Sequence, residues 1–107
     1  MVDAINPVGQ NGLFDETIGN LEQAMRVATM RQSVIAQNIA NAKTPGYEPM
    51  TFDEQLMKAV KREDRKEVVL EDEMADLSAN SGQYSAYVKL MSSKLGILRS
   101  IVSQGRK

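Results

Sequence analysis

The sequence contains no cysteine, no histidine and no tryptophan. Without cysteine there are no disulfides and no thiolate chemistry. Without histidine the chain lacks the commonest general base and the commonest transition-metal ligand. Aromatic residues are few, three tyrosines and two phenylalanines, which argues against a platform for stacking nucleic-acid bases. Neither sign of charge dominates. Thirteen basic and fourteen acidic side chains leave a net charge of −1, so there is no electrostatic footprint for nucleic acid or an anionic membrane. No apolar run approaches the eighteen or so residues that a membrane-spanning helix needs. The opening Met1-Val2-Asp3-Ala4-Ile5-Asn6-Pro7 has neither a basic n-region nor an apolar h-region, so it does not read as a secretory signal. On its own residues the chain is expected in the cytoplasm, or to leave it by a route that reads another signal.

What is present is helical periodicity. Residues 1–12 are polar, carry Pro7, Gly9 and Gly12, and read as a mobile tail. From Phe14 onward, Ile18, Leu21, Met25, Ala28, Gln32, Ile35, Ile39 and Ala42 alternate four and three apart, the period of a coiled-coil seam with Gln32 as its polar intruder. Acids near the start and bases later complement the helix dipole. A helix is expected at about 13–42, roughly 45 Å long at 1.5 Å per residue. Leu70, Met74, Leu77, Ser81, Tyr84, Val88, Met91, Leu95, Leu98 and Val102 repeat the spacing, predicting a second helix at about 71–104 with Gly105 as its stop. Gly82 inside it suggests a bend or a close helix contact.

Between the helices, Thr44-Pro45-Gly46-Tyr47 fits a type II turn, with Pro at i+1 and Gly at i+2. Pro49 keeps the chain extended. Thr51-Phe52-Asp53-Glu54 reads as a capping box, which predicts a short middle helix at about 52–61 with Phe52, Leu56, Ala59 and Val60 on one face. Residues 61–67 form a mixed-charge linker, and Val68-Val69-Leu70 a brief extended piece. The expected fold is therefore all-α. It is a single domain over 1–107, with a tail (1–12), an N-terminal helix (13–42), a turn, short helix and linker (43–70) and a C-terminal helix (71–107).

Two seams can pair as an α-hairpin, yet each helix carries more apolar surface than one stripe. Tyr87, Leu90, Ile97 and Ile101 form a second line on the C-terminal helix, and Val27, Met30 and Val34 lie off the main seam of the first. A lone helix pair has too little interior to offset the entropy of ordering its residues. The surplus predicts packing against neighbouring subunits. The competing reading is a closed three-helix bundle capped by the middle helix, since wide apolar stripes are normal in bundles.

Candidate sites are few. Asn38 and Asn41 share a helix face. They either cap the helix C-terminus or hydrogen-bond the turn or a neighbouring subunit. Tyr47 is either an interface anchor or a partner for Phe52. Glu71, Asp72, Glu73 and Asp76 lack the alternating spacing of a calcium loop and read as dipole complements at a helix start. Paired carboxylates for glycosidase-like work need a concave pocket that two long helices do not make. Met25, Met74 and Met91 read as core filler. No catalytic residue, metal site or cofactor is expected.

Asn38-Ile39-Ala40-Asn41 followed by Thr44-Pro45-Gly46-Tyr47 resembles the signature of the flagellar rod and hook family of bacterial axial proteins. Phe52-Asp53-Glu54-Gln55-Leu56, Glu71-Asp72-Glu73-Met74-Ala75-Asp76-Leu77, Tyr84 and Lys89-Leu90-Met91-Ser92-Ser93-Lys94-Leu95 look like segments of its proximal-rod members. The approach to the last helix is shorter than in those members, and Glu48-Pro49-Met50 replaces a more polar run. The resemblance implies a structural subunit of the proximal rod of the flagellar basal body, in the periplasmic space, exported by a type III apparatus without a cleaved signal peptide. Its implied partners are other rod subunits, in homo- and hetero-oligomeric assembly, an adapter between rod and membrane ring, and the export apparatus. It favours the bonding role for Asn38 and Asn41 over simple capping. The rival class is a cytoplasmic coiled-coil adapter or export chaperone.

Overall fold

A computed structural model describes residues 13–105, with side chains from residue 15 onward. The tail expected at 1–12 and the side chain of Phe14 lie outside the described residues. Helix α1 spans Leu13–Ala40, strand β1 Met50–Asp53, strand β2 Lys58–Lys61 and helix α2 Leu70–Gly105. Both long helices lie where the heptads place them, within two residues at each end. Asp15 and Glu16 sit in the first turn of α1, and Glu71, Asp72 and Glu73 in that of α2, where negative charge faces the exposed amides. Gly105 is the last helical residue rather than the stop beyond it. Val68-Val69 is not a strand. The Val69 carbonyl accepts the amide of Glu73 at 3.1 Å and so opens α2.

The expected middle helix is not formed. Its place is taken by an antiparallel hairpin, with Met50 opposite Lys61, Thr51 opposite Val60, Phe52 opposite Ala59 and Asp53 opposite Lys58. The amide of Arg62 donates to the carbonyl of Pro49 at 3.0 Å and extends the ladder by one rung. The capping signature has a different physical meaning here. Asp53 Oδ1 accepts the amides of Gln55 and Leu56 at 2.9 and 3.0 Å, which starts a turn without a helix to follow. Met57 then takes a left-handed φ of 54° and sends the chain back. Glu54 does not reach back to Thr51; it pairs with Arg31 of α1 at 2.7 Å. A ten-residue helix is marginal without tertiary support, and the tertiary support here favours the strand.

That support comes from α1. The described residues form two compact units. One is the continuous stretch Arg26–Ser85; the other, among the described residues, joins 13–25 and 86–105. In the continuous unit Val27, Val34 and Phe52 make a buried cluster, with Met30, Met50, Met57 and Ala59 packed around it. The off-seam stripe Val27-Met30-Val34 is thus covered by the chain's own hairpin. Phe52 points to it because alternate strand residues share a face. The left-handed strain at Met57, about 1 kcal/mol, is offset by the contact its side chain makes with this cluster.

In the unit of two segments, no described side chain is fully buried. Leu21, Met25 and Met91 are half-buried. Leu90, Ile97 and Ile101 remain 50%, 49% and 57% exposed. In the continuous unit, Gly82, expected to mark a bend or a close helix contact, has nothing within 4 Å of the position a Cβ would take.

Candidate functional site

Asn38, two residues before the end of α1, makes four side-chain hydrogen bonds. It is 1% exposed. Its Nδ2 donates to the Met50 carbonyl at 2.8 Å and to Glu73 Oε1 at 2.9 Å. Its Oδ1 accepts the Tyr47 hydroxyl at 2.8 Å and the Met50 amide at 2.9 Å. Two donors and two acceptors exhaust what a carboxamide offers. One side chain thereby ties α1 to the turn, to β1 and to the first turn of α2.

Glu73 is the second element of this clasp, also 1% exposed. Its Oε2 lies 3.5 Å from Arg62 Nη1. Arg62 also grips Asp64 with two bonds, Nε to Oδ1 at 2.9 Å and Nη2 to Oδ2 at 2.7 Å. The bond to Asp64 is the main reason that the Arg62 guanidinium holds its proton more tightly than usual. In return it holds the Asp64 carboxyl below the ordinary carboxylate range. Burial, and then the charge of Glu73, raise the Tyr47 phenol above its usual value. A buried carboxylate is tolerated because amide and guanidinium donors surround it.

Asn41 acts differently from Asn38. Its backbone amide and Nδ2 both donate to the Gln37 carbonyl, at 3.0 and 2.9 Å. Its Oδ1 accepts the Thr44 hydroxyl at 3.1 Å, and its carbonyl accepts the Thr44 amide at 3.0 Å. Asn41 closes the helix; Asn38 binds across the fold. Pro45 and Gly46 form the type II turn, with the Tyr47 amide donating to the Thr44 carbonyl at 3.1 Å and Gly46 at a φ of 80°. Thr44, Pro45, Gly46 and Ala40 are exposed, while Ile39 and Tyr47 are half-buried.

A second polar contact lies seven residues further along α2. Asn80, 5% exposed, donates through Nδ2 to the Ala28 carbonyl and to Gln32 Oε1, both at 2.8 Å. Gln32, the polar intruder of the first seam, also donates to Ser81 Oγ at 3.1 Å. Asn80 Oδ1 is buried and has no partner among the described atoms.

The expected seam residues fall into three groups. Ile35 is buried. Ile18, Leu21, Met25, Ile39, Leu77 and Met91 are half-buried, as is Tyr87 of the second stripe. Leu70, Met74, Tyr84, Val88, Leu95, Leu98 and Val102 are exposed, as are Leu90, Ile97 and Ile101. The buried positions of α2 are Glu73 and Asn80. Sequence reasoning did not single out Glu73, Arg62 or Asn80 as structural contacts. The one available signal was Gln32, since a polar group on an apolar seam needs a polar mate. The acids at the start of α2 diverge: Glu73 turns to Asn38, Asp72 pairs with Arg65 at 2.9 Å, and Asp76 lines a groove.

The family model described as flagella basal body rod protein matches residues 18–47. That stretch runs along α1 and ends on Tyr47, so it contains both asparagines and the turn. The flagellar basal body rod protein FlgB of Bacillus subtilis (strain 168) is 28% identical over 127 aligned residues, which take in 88% of this chain and 98% of that protein. Over residues 18–47 the chain is thus similar to the flagellar basal body rod family, and along most of its length to one of its rod proteins.

Proposed function

We propose that the chain builds the proximal part of the rod by packing its two long helices against those of neighbouring rod subunits. The observation that carries this reading is the bare flank of α2, where Leu90, Ile97 and Ile101 are about half exposed and Leu95, Leu98 and Val102 lie beside them. Covering the remaining half of each of the first three is worth about 1 kcal/mol apiece. The helices offer length and surface without a catalytic constellation. Ile18, Leu21 and Met25 on α1, only half-buried, supply the matching surface on the other helix.

In this reading the Asn38 clasp and the Pro45-Gly46 turn fix the direction in which the chain leaves α1, so that Thr44, Pro45 and Gly46 meet a neighbour in a set geometry. The partners are other rod subunits and the adapter between rod and membrane ring, reached by type III export into the periplasmic space without a cleaved signal peptide. Among the described residues no helix is long and apolar enough to cross a membrane. Fractionation tests the reading: the chain should co-purify with detergent-resistant basal bodies. Recovery from the cytosol alone would instead indicate an adapter or chaperone.

A further inference from the structure

Glu73 and Asn80, the buried positions of α2, are one heptad apart and so share a line along the helix. Their demands are opposite. Glu73 accepts, from Asn38 Nδ2 at 2.9 Å and from Arg62 Nη1 at 3.5 Å. Asn80 donates, to the Ala28 carbonyl and to Gln32 Oε1, both at 2.8 Å. Its Oδ1 stays buried without a partner among the described atoms, a cost that a leucine there would not carry. Replacing buried polar groups with apolar ones of similar size is often neutral or favourable. Stability alone therefore gives no reason for this pair.

Register does. The apolar seam of α2 repeats with the heptad, so it does not by itself distinguish one setting of the helix from the next. A slide of about 10 Å puts Leu77 in the place of Leu70 and Tyr84 in that of Leu77. Residues 62–69, between β2 and α2, lie in neither helix nor strand and can take up such a slide. The buried line does tell the settings apart. Glu73 in the place of Asn80 would set a carboxylate against the Ala28 carbonyl, acceptor to acceptor. Asn80 in the place of Glu73 would withdraw the carboxylate from Arg62 and bring the bulk of Tyr87 to the Ala28 backbone. The line continues through Tyr87 and Lys94, both half-buried, so none of its four members repeats another. We propose that Glu73 and Asn80 form a two-point key that sets the register of α2 against α1. The purpose of the key, though not the key itself, rests on the rod-subunit reading and deepens it. Leu90, Ile97 and Ile101 lie on the same helix, and a slide would carry them by the same distance, one heptad out of step with a neighbour.

The test uses the full-length chain, which has no cysteine of its own. Nitroxide labels on Gln37→Cys and Ser85→Cys, exposed positions of one compact unit, report the setting of α2 as a distance by pulsed electron resonance. Dilution with unlabelled chain removes distances between copies. The labelled parent should give a single distance. Exchanging the key, Glu73→Asn with Asn80→Glu, should favour the setting in which the carboxylate at position 80 reaches Asn38 and Arg62, and shorten the distance by up to about 10 Å. Erasing it, Glu73→Leu with Asn80→Leu, should leave helicity by circular dichroism unchanged and give both distances. The inference is overturned if the double-leucine chain keeps the single parent distance. It is equally overturned if that chain loses its helicity, since the pair would then be needed to fold rather than to choose a register. Should the exchanged chain not fold, the double-leucine chain decides. These distances are read within one copy, so they stand or fall whether or not the chain is found in basal bodies. Absence from basal bodies would sink the rod-subunit reading alone.

Discussion

The hydroxyl of Tyr47 donates to Asn38 Oδ1 at 2.8 Å, across the Pro-Gly turn and nine residues along the chain. This bond fastens the end of the turn to the helix it has just left. Tyr47→Phe should lower stability by about 1 kcal/mol in urea unfolding, because Asn38 Oδ1 keeps its bond from the Met50 amide. The phenol is raised above its ordinary value near 10 by burial and by Glu73. A raised folded value means that this group's contribution is intact below pH 10 or so and fades as pH climbs through the folded value. The alkaline arm of the stability profile should therefore flatten in Tyr47→Phe. An unchanged arm would assign the alkaline loss to another group.

Asn38→Ala removes all four bonds and strands the buried Glu73 carboxylate against a single guanidinium. A loss of about 3 kcal/mol or more is expected, read from the denaturant midpoint. Asn38→Asp should be worse at neutral pH despite its matching shape. It brings a second carboxylate against Glu73 and discards both donors. Its defect should shrink on acidification, whereas that of Asn38→Ala should not.

Arg62 is the other support of Glu73. Arg62→Gln should cost about 2–3 kcal/mol, since it leaves a buried charge short of its partner. Asp64→Asn should cost far less, because Asp64 is on the surface. The depressed Asp64 carboxyl contributes above the ordinary carboxylate range and loses that contribution as pH falls through its lowered value. Loss of the acid arm in Asp64→Asn, with Glu73 untouched, is the check.

Two glycines should respond oppositely to alanine. Gly46 sits at a φ of 80° with nothing within 4 Å of its would-be Cβ, so Gly46→Ala meets only backbone strain and should cost about 1–2 kcal/mol. Gly82 has the same open space in a helical conformation, and Gly82→Ala should add about 1 kcal/mol. Thermal melts of the two variants displaced in the same direction would contradict this assignment.

Folding and assembly can be separated by where an aspartate is placed. Val34→Asp puts a charge into the buried cluster and should abolish cooperative folding. Leu95→Asp changes an exposed residue. The isolated variant should keep wild-type helicity while cells carrying it lose motility. Ile39→Asp, at a half-buried site, should impair both. Motile cells carrying Leu95→Asp would remove the bare flank of α2 from the rod contact.

Periodicity made the long helices legible, because four-three spacing sustained over nine or ten positions has few other solutions. It also exposed the surplus on α2. It misjudged the surplus on α1, since Val27, Met30 and Val34 look as unpartnered in sequence as Leu90 and Ile97. What separates them is Phe52, which reaches α1 from a strand that local signals had described as a helix. Thr51 to Glu54 satisfies a capping pattern, and the alternation of Met50 and Phe52 is too short to outweigh it. Asn38 stood out only by resemblance. Its partners are 9, 12 and 35 residues away, and no local rule reaches that far. Glu73 was hidden by its company, three other acids on the same opening turns.

The convergence of four bonds on Asn38 has a mechanical side. Turn, strand and second helix are all moored to one carboxamide, so none can peel away without disturbing the hold on the others. A fastening of this kind yields all at once rather than by stages, which suits the rod role proposed above. Single-molecule pulling on the chain should give one abrupt rupture for residues 38–73, and Asn38→Ala should replace it with several smaller ones.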